Sequence, residues 1–316
     1  MDQLKAMTVF VRCVERGSLS AAAVEFMTTQ PSISKLIAGL EARLAGALLV
    51  RSTRGVRLTP QGQRYYEDCK AIVDAVARAN EGFGQAKDAV AGSVRIAASQ
   101  AFGRIKVVPG MATLMRRYPE LRVNLNLNDH RVDLVAEGVD VAFRFGRMED
   151  SALLARRVGV SRRILVASPD YMLERGPIRA PAGLEQHDCI GLDIGPSGQV
   201  WSLSTAVTEA GRPAETIKVA VHGRLQTDSP ESAREAALAG MGVSAISEWM
   251  VGEDLRAKRL IHVLPAYALT TVPIHLVMPR SSRHLARVRA VAEYFEQQFG
   301  HDREIRLRAD RSESRS

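Results

Sequence analysis

The sequence predicts an α/β protein headed by an all-α winged helix-turn-helix and a long linker helix. Three observations carry that prediction. Apolar residues recur at helical spacing through the first 45 residues, a proline-free heptad seam follows Pro60, and strand and helix signals alternate from residue 92 to about 300. A chain of 316 residues suits two or three cores rather than one.

In the first helix Leu4, Met7, Val11 and Val14 share a face, and Gly17 ends it. The Ala-rich stretch SLSAAAVEFM reads as a short helix capped at Ser18 or Ser20. After a tight polar turn comes TTQPSISKLIAGLEARL, in which Ile33, Leu36, Ile37, Leu40 and Leu44 project onto one stripe at about 100° per residue. Thr29 is its N-cap, and Pro31 lies in the first turn, where a missing N–H costs nothing. The opposite face carries Pro31, Ser34, Lys35, Ala38 and Ala42, side chains that are small or basic and allow close approach to another surface. Helix, short helix, turn and longer helix is the order of a helix-turn-helix, so this face reads as the front of a recognition helix.

Next, LLVRSTRGVRLTPQG reads as two short strands around Arg54 and Gly55, a wing that carries Arg51, Arg54 and Arg57. Arginines beside a recognition helix bind phosphates or enter the minor groove. From Gln61 to Lys87, Tyr65, Cys69, Ile72, Val76, Ala79 and Phe83 recur at alternating spacings of four and three. That seam is expected to pair with a second copy, since dimers match palindromic DNA.

Gly92 opens a new region, where Val94, Ile96 and Ala98 alternate as a strand. A helix around Ile105 to Arg117, the strand LRVNLNLND, a helical RVDLVAEG and the strand VDVAFRFG follow. Such βαβ order implies a largely parallel sheet with ligand sites beyond the strand C-termini, here Ser99, Asp129, Phe145 and Gly146. Further on come the strand RRILVASP, the helix DYMLERG, a loop-rich stretch to Trp201, the strand TIKVAVHGRLQT, the helix SPESAREAALAG and the strand VSAIS. TVPIHLVMP and a helix from Ser282 to Phe299 return to the first sheet, giving two lobes joined by two crossings. The expected organisation is therefore a DNA-binding unit at 1–60, a linker helix at 61–88 and a two-lobed α/β region at 92–300. Lobe I comprises 92–161 and 269–300, lobe II comprises 162–268, and the charged tail 301–316 is expected to be disordered.

The formal net charge is +8, and half of it lies in residues 1–60, where eight Lys or Arg face four Asp or Glu. That concentration permits a polyanionic partner, while the 5% aromatic content argues against a stacking platform for single strands. Cys13, Cys69 and Cys189 form neither a disulfide framework nor a CxxC motif, which points to a reducing cytoplasm. The N-terminal MDQLKAMTVFVRCVERG is interrupted by charges, unlike a signal peptide. No apolar run approaches the roughly 18 to 20 residues of a membrane span, so no membrane partner is expected.

The elements GSLSAAAVEFMTTQPSISKLIAGLEARL, RSTRGVRLTPQG, a long helix and an α/β effector region together resemble the LysR-type transcriptional regulators. SxxxAA, TQPSxS and LTxxG are the most specific parts, and the resemblance runs from residue 1 to about 300. It implies a dimerising linker helix and a two-lobed effector domain like that of periplasmic solute-binding proteins, commonly in tetramers, with duplex DNA, a small-molecule effector and RNA polymerase as partners. Carried over residue by residue, it puts DNA reading on Gln30, Pro31, Ser34 and Lys35, with backbone contacts from Thr29, Arg51, Arg54 and Thr59. It puts the effector cleft on Ser99, Gln100, Asp129, Phe145 and Gly146 from one lobe and Thr227 and Asp228 from the other. Leu49 departs from the family, which often has phenylalanine there.

An enzyme finds little support, and no cofactor or metal is expected. GMGVSA at 240–245 matches G-x-G-x-x-A but follows a helix and precedes a strand, the reverse of the dinucleotide-binding order, and so reads as a packing turn. The seven histidines lack metal-ligand spacing, and there is no G-x-S-x-G elbow. The alternatives are a solute-binding protein with an N-terminal oligomerisation module and an architectural DNA-binding protein without a ligand. Ligand-dependent binding to a palindrome separates a regulator from both.

Overall fold

The computed structural model describes residues 2–52, 55–81, 90–130, 133–148, 153–192, 199–205 and 215–307. Chain contacts divide it into two compact units, residues 1–87 with 135–138, and residues 88–134 with 139–316.

In the first unit α1 (Gln3–Arg16) starts at Asp2, whose carboxylate accepts from the Lys5 N–H, and ends at Gly17 in the left-handed region, φ +65°. Ser18 caps α2 (Leu19–Glu25), and Thr29 caps α3 (Gln30–Leu44) by accepting from the Ser32 N–H. Ile33, Ile37 and Leu40 are fully buried against Phe10, Ala6 and Ala22. Burying three such side chains contributes about 1.5–3 kcal/mol each, which fixes how the helix is rotated about its axis. The expected stripe is one residue too long: Leu44 is 40% exposed, because α3 ends at Ala45 in the left-handed region.

The wing strands β1 (Leu49–Ser52) and β2 (Gly55–Leu58) pair antiparallel, with Leu49 opposite Leu58. Glu41 of α3 accepts from the N–H groups of Leu48 and Leu49 and so ties the wing to the helix. The glycine of LTPQG has a steric cause, since a Cβ on Gly62 would lie 2.0 Å from the Leu48 carbonyl oxygen. The long α4 (Pro60–Glu81) then corrects the seam. Cys69 is fully buried and Tyr65 half-buried in the unit's own core, with the Tyr65 ring 5.9 Å from Phe10. Further along the seam Ile72 is 43% exposed and Val76 half-buried. The side chain of Ala79 and all of Phe83 lie outside the described residues.

The second unit has two lobes. Lobe I is a five-stranded sheet in which β3 (Gly92–Ala98) pairs in parallel with β4 (Leu121–Leu127) and β5 (Val141–Phe145). β6 (Leu153–Ser161) then leaves for lobe II at Ser161. Lobe II contains β7 (Arg163–Ala167), α7 (Pro169–Arg175), β8 (Cys189–Leu192), β9 (Gln199–Thr205), β10 (Thr216–Val221), β11 (Gln226–Thr227) and α8 (Pro230–Leu238). It is completed by β12 (Val243–Ser247), α9 (Glu248–Arg256), β13 (Ile261–Val263) and β14 (Tyr267–Leu269). Its main sheet runs β11-β8-β12-β7-β13, and β10-β9-β14 form a second, antiparallel sheet. The chain returns through β15 (Val272–Pro279), which is antiparallel to both β5 and β6, so each main sheet is mixed rather than largely parallel.

Two expected elements differ. RVDLVAEG forms turns at 134–138 instead of a helix, closed where Gly138 takes φ +63° and the Val139 N–H donates back to the Leu134 carbonyl. The strand TIKVAVHGRLQT breaks into β10 and β11 at Gly223, where a Cβ would fall 1.9 Å from the Cys189 carbonyl oxygen.

The helical path after β3 is α5 (Gln100–Phe102), a π-helical turn at Gly103–Val107, then α6 (Val108–Arg117). α10 (Ala286–His301) packs on the lobe I sheet through Val288, Val291, Phe295 and Phe299, all fully buried. The start of the expected disordered tail is docked instead. Ile305 is fully buried, its carbonyl accepts from the Val160 N–H at 2.7 Å, and Lys106 pairs with Asp302 and Glu304. Residues 308–316 lie outside the described residues.

Candidate functional site

The first unit offers an exposed face on α3. Thr29, Gln30, Pro31 and Lys35 are exposed and Ser34 is half-buried, while Arg57 is exposed on β2. Two of the unit's acids are ion-paired away from that face, and Glu41 of α3 is engaged by the N–H groups of Leu48 and Leu49. Glu15 is held by Arg12 and Lys70, and Glu25 by Arg12 and Arg16, all on α1, α2 and α4. Burial would raise the Glu15 pKa, but the two cations outweigh it and hold the group ionised below its ordinary value. Lys35 and Arg57 make no ion pair with the described residues, so both basic groups of this face are open to a partner. Thr59 is engaged within the fold: its hydroxyl donates to the Ala47 carbonyl at 2.7 Å and accepts from the Gly62 N–H at 2.8 Å. Arg51 lies on β1, with its side chain outside the described set, and Arg54 lies outside the described residues altogether.

The second unit holds a cleft of about 700 Å³ between its lobes. Ser99, Asp129, Phe145, Gly146 and Asp228 stand on its wall, whereas Gln100 and Thr227 do not. Gln100 acts from behind, its N–H donating to Asp129 Oδ1 at 3.0 Å, and Thr227 Oγ1 accepts from the Ser229 N–H. One backbone donor at the Ser99 turn, the Gln100 N–H, is therefore occupied by Asp129. Ser99 precedes α5 as its N-cap, but its side chain makes no capping bond, so the hydroxyl remains available to a ligand. Gly146, at φ +93°, lets β5 turn back so that its N–H donates to the Pro273 carbonyl at the second lobe crossing.

An aromatic contact and an ion pair join the lobes around this cleft. Trp249 of α9 meets Phe102 at 5.5 Å and stacks on Phe145 at 6.2 Å, and Arg104 of the π-turn pairs with Glu231 of α8 at 2.6 Å. The exposed ion pair contributes at most about 1 kcal/mol, so the aromatic contact dominates. The sequence reading missed Arg163, Ser247 and Trp249, all on the cleft wall. Ser247 ends β12 and Trp249 lies two residues beyond it, a place the strand-end rule could have reached. Arg163 begins β7, and only the antiparallel pairing of β7 with β12 brings that N-terminal end to the same place.

Residues 4–63 match the bacterial regulatory helix-turn-helix of the lysR family, and residues 87–300 match the LysR substrate binding domain. The chain belongs to the LysR family of transcriptional regulators. It is 35% identical to the HTH-type transcriptional activator TtdR of Escherichia coli K12, over 84% of this chain and 83% of that protein. The full-length structure of the Vibrio cholerae virulence activator AphB is 26% identical with a TM-score of 0.61, covering 93% of this chain and 98% of that one. CrgA of Neisseria meningitidis gives 27% and 0.58, covering 94% and 98%. The first unit is thus the DNA-binding domain of a LysR-type regulator, and the two-lobed unit is its effector domain. Among the described residues no helix is long and apolar enough to cross a membrane, and no three metal-ligating side chains cluster.

Proposed function

We propose that this LysR-family chain reads a palindromic duplex through Gln30, Pro31, Ser34 and Lys35, holds the backbone through Thr29 and the wing arginines while Thr59, its one proton given to the Ala47 carbonyl, braces the wing from within, and changes its DNA complex when a small molecule enters the cleft at Ser99, Asp129, Phe145, Gly146 and Asp228. Gln100 and Thr227 support that wall from behind. The observation that carries the reading is the Ser99 hydroxyl, which occupies a helix-capping position without capping and stands on the wall of a ligand-sized cavity. A ligand there biases the protein only through unequal affinity for two arrangements of the lobes.

Dimerisation is assigned to the outward part of α4 around Ile72, since Tyr65 and Cys69 already belong to the chain's own core. Dimers of dimers, RNA polymerase at the promoter and a cytoplasmic setting complete this reading, in which the chain regulates and does not catalyse. The test begins with a duplex selected from a random pool by the full-length protein. Sedimentation of Ile72→Glu should show a smaller species that loses the full palindrome, because the substitution buries an unpaired carboxylate against its symmetry mate. An unchanged assembly that still binds the palindrome tightly would remove α4 from the dimer.

A further inference from the structure

Arg163 and Ser247 stand directly opposite each other in the antiparallel pair β7·β12 and both lie on the cleft wall. Directly opposed residues share a face, with Cβ atoms about 4.5–5.5 Å apart, so the guanidinium and the hydroxyl serve one spot. That spot is at the first lobe crossing, immediately after Ser161 and Arg162.

Five other arginines of lobe II are matched to acids. Arg162 pairs with Glu248, Arg234 and Arg259 with Asp254, and Arg175 and Arg224 with Asp188. Arg163 is half-buried and has no acid partner among the described residues; its one hydrogen bond runs from Nη2 to the Ala245 carbonyl at 2.9 Å. A guanidinium has five N–H donors, so most of its capacity is unspent in a place where burial already disfavours the charge and lowers its pKa.

Ser247 is oriented by a relay. The Trp249 indole N–H donates to Ser161 Oγ at 3.0 Å, and the Ser161 hydroxyl donates to Ser247 Oγ at 2.8 Å. Ser247 therefore keeps its own proton to give, and although it is the N-cap of α9 it makes no capping bond. A cation-repelling guanidinium and an adjacent O–H donor, backed by Ile246, Met250 and Phe145, describe a seat for an oxyanion on an organic body. Elsewhere the wall is of mixed charge, with Asp129 and Asp228 set against Arg144 and Arg147.

We infer that the cleft takes a small organic acid whose carboxylate is held by Arg163 and Ser247 at the pivot between the lobes. The inference rests on the cleft being the effector site. The probes are a panel of mono- and dicarboxylic acids of two to eight carbons together with their primary amides, read by thermal shift and calorimetry on the full-length protein. At least one acid should stabilise the wild type while its amide does not. Arg163→Met should weaken that acid at least tenfold, the size expected for losing hydrogen bonds to a charged group, and Arg163→Lys should recover part of the affinity. Ligand-free Arg163→Met should melt no lower than the wild type, because a half-buried charge without an acid partner is exchanged for hydrocarbon. Equal stabilisation by acid and amide, survival of the acid response in Arg163→Met, or no acid acting on the wild type would overturn the proposal. A neutral or cationic metabolite whose binding is lost in Ser99→Ala but kept in Arg163→Met would overturn the acid and preserve the cleft. A ligand indifferent to both substitutions would overturn the cleft as well.

Discussion

The exposed α3 and wing face and the cleft between the lobes, proposed to read DNA and to take the effector, are built in opposite ways. The face is one helix and the hairpin after it, positions 29 to 59, oriented by the burial of Ile33, Ile37 and Leu40 on the helix's far side. The cleft gathers residues from Ala97 to Met250 out of two sheets whose strands run in both directions. The difference teaches that a local surface is fixed by the phase of one helix, whereas a cleft is fixed by register between distant strands. The face should therefore fail through single-helix changes, and the cleft through changes in packing between elements.

The largest expected effect separates the two regions. Phe10→Ala removes a fully buried ring from the first unit's core and should cost about 3–5 kcal/mol, abolishing DNA binding. Calorimetry with an effector should still show cleft binding; its loss would tie the cleft to the first unit's integrity.

A second change weakens the cleft's supporting wall. Asp254 of α9 is fully buried and takes Arg234 of α8 at 2.7 Å and Arg259 at 2.6 Å. Burial alone would raise its pKa, but the two guanidinium groups outweigh it and hold the group below its ordinary 3.8. A folded pKa below the unfolded one contributes stability at higher pH, and that contribution is lost as pH falls through the folded value, below about 3.8. Asp254→Asn should cost about 2–3 kcal/mol at neutral pH, tempered by the exposure of Arg259, and its melting difference from the wild type should shrink toward pH 3. A difference that is flat with pH would mean that the ion pairs do not support α8 and α9.

How much was readable in advance follows from the same contrast. The phase of α3, its cap at Thr29 and its outward residues were legible because all depend on neighbours within two turns. The seam was misread at Tyr65 and Cys69, since a heptad stripe is equally satisfied by a partner helix and by the chain's own α1, and only the tertiary fold chooses. Strand C-termini pointed to Ser99, Asp129, Phe145 and Gly146, but Arg163 stayed hidden because strand direction within a mixed sheet is not written in local periodicity. The docked tail was masked by its charge: a single buried residue, Ile305, with Lys106 as the counter-charge for Asp302 and Glu304, is too sparse a pattern to stand out.

Within the face itself, base reading and backbone holding should be distinguishable. Lys35→Ala should cost about 1–3 kcal/mol on the selected duplex and relax preference at one position, while Arg57→Ala should weaken every duplex and flatten the salt slope by roughly one unit. Titrations on selected and scrambled duplexes at several salt concentrations measure this, and equal losses on both for Lys35→Ala would take Lys35 off the bases. The smallest effect is chemical. Burial pushes the thiols of Cys13 and Cys189 up to about 11 and about 12 and raises that of Cys69, so iodoacetamide at pH 8 should leave all three unmodified in the folded chain. Rapid alkylation of Cys189 would show that lobe II opens near its central sheet.

The claim that the cleft governs the DNA face is tested most directly by footprinting wild type and Ser99→Ala on the selected duplex, with and without the metabolite that gives the wild type its largest thermal shift. The account predicts identical ligand-free footprints, a ligand-dependent change in the wild type, and no such change in Ser99→Ala at concentrations that saturate the wild type. Ser99→Ala responding with wild-type affinity, or losing its ligand-free footprint, would contradict it.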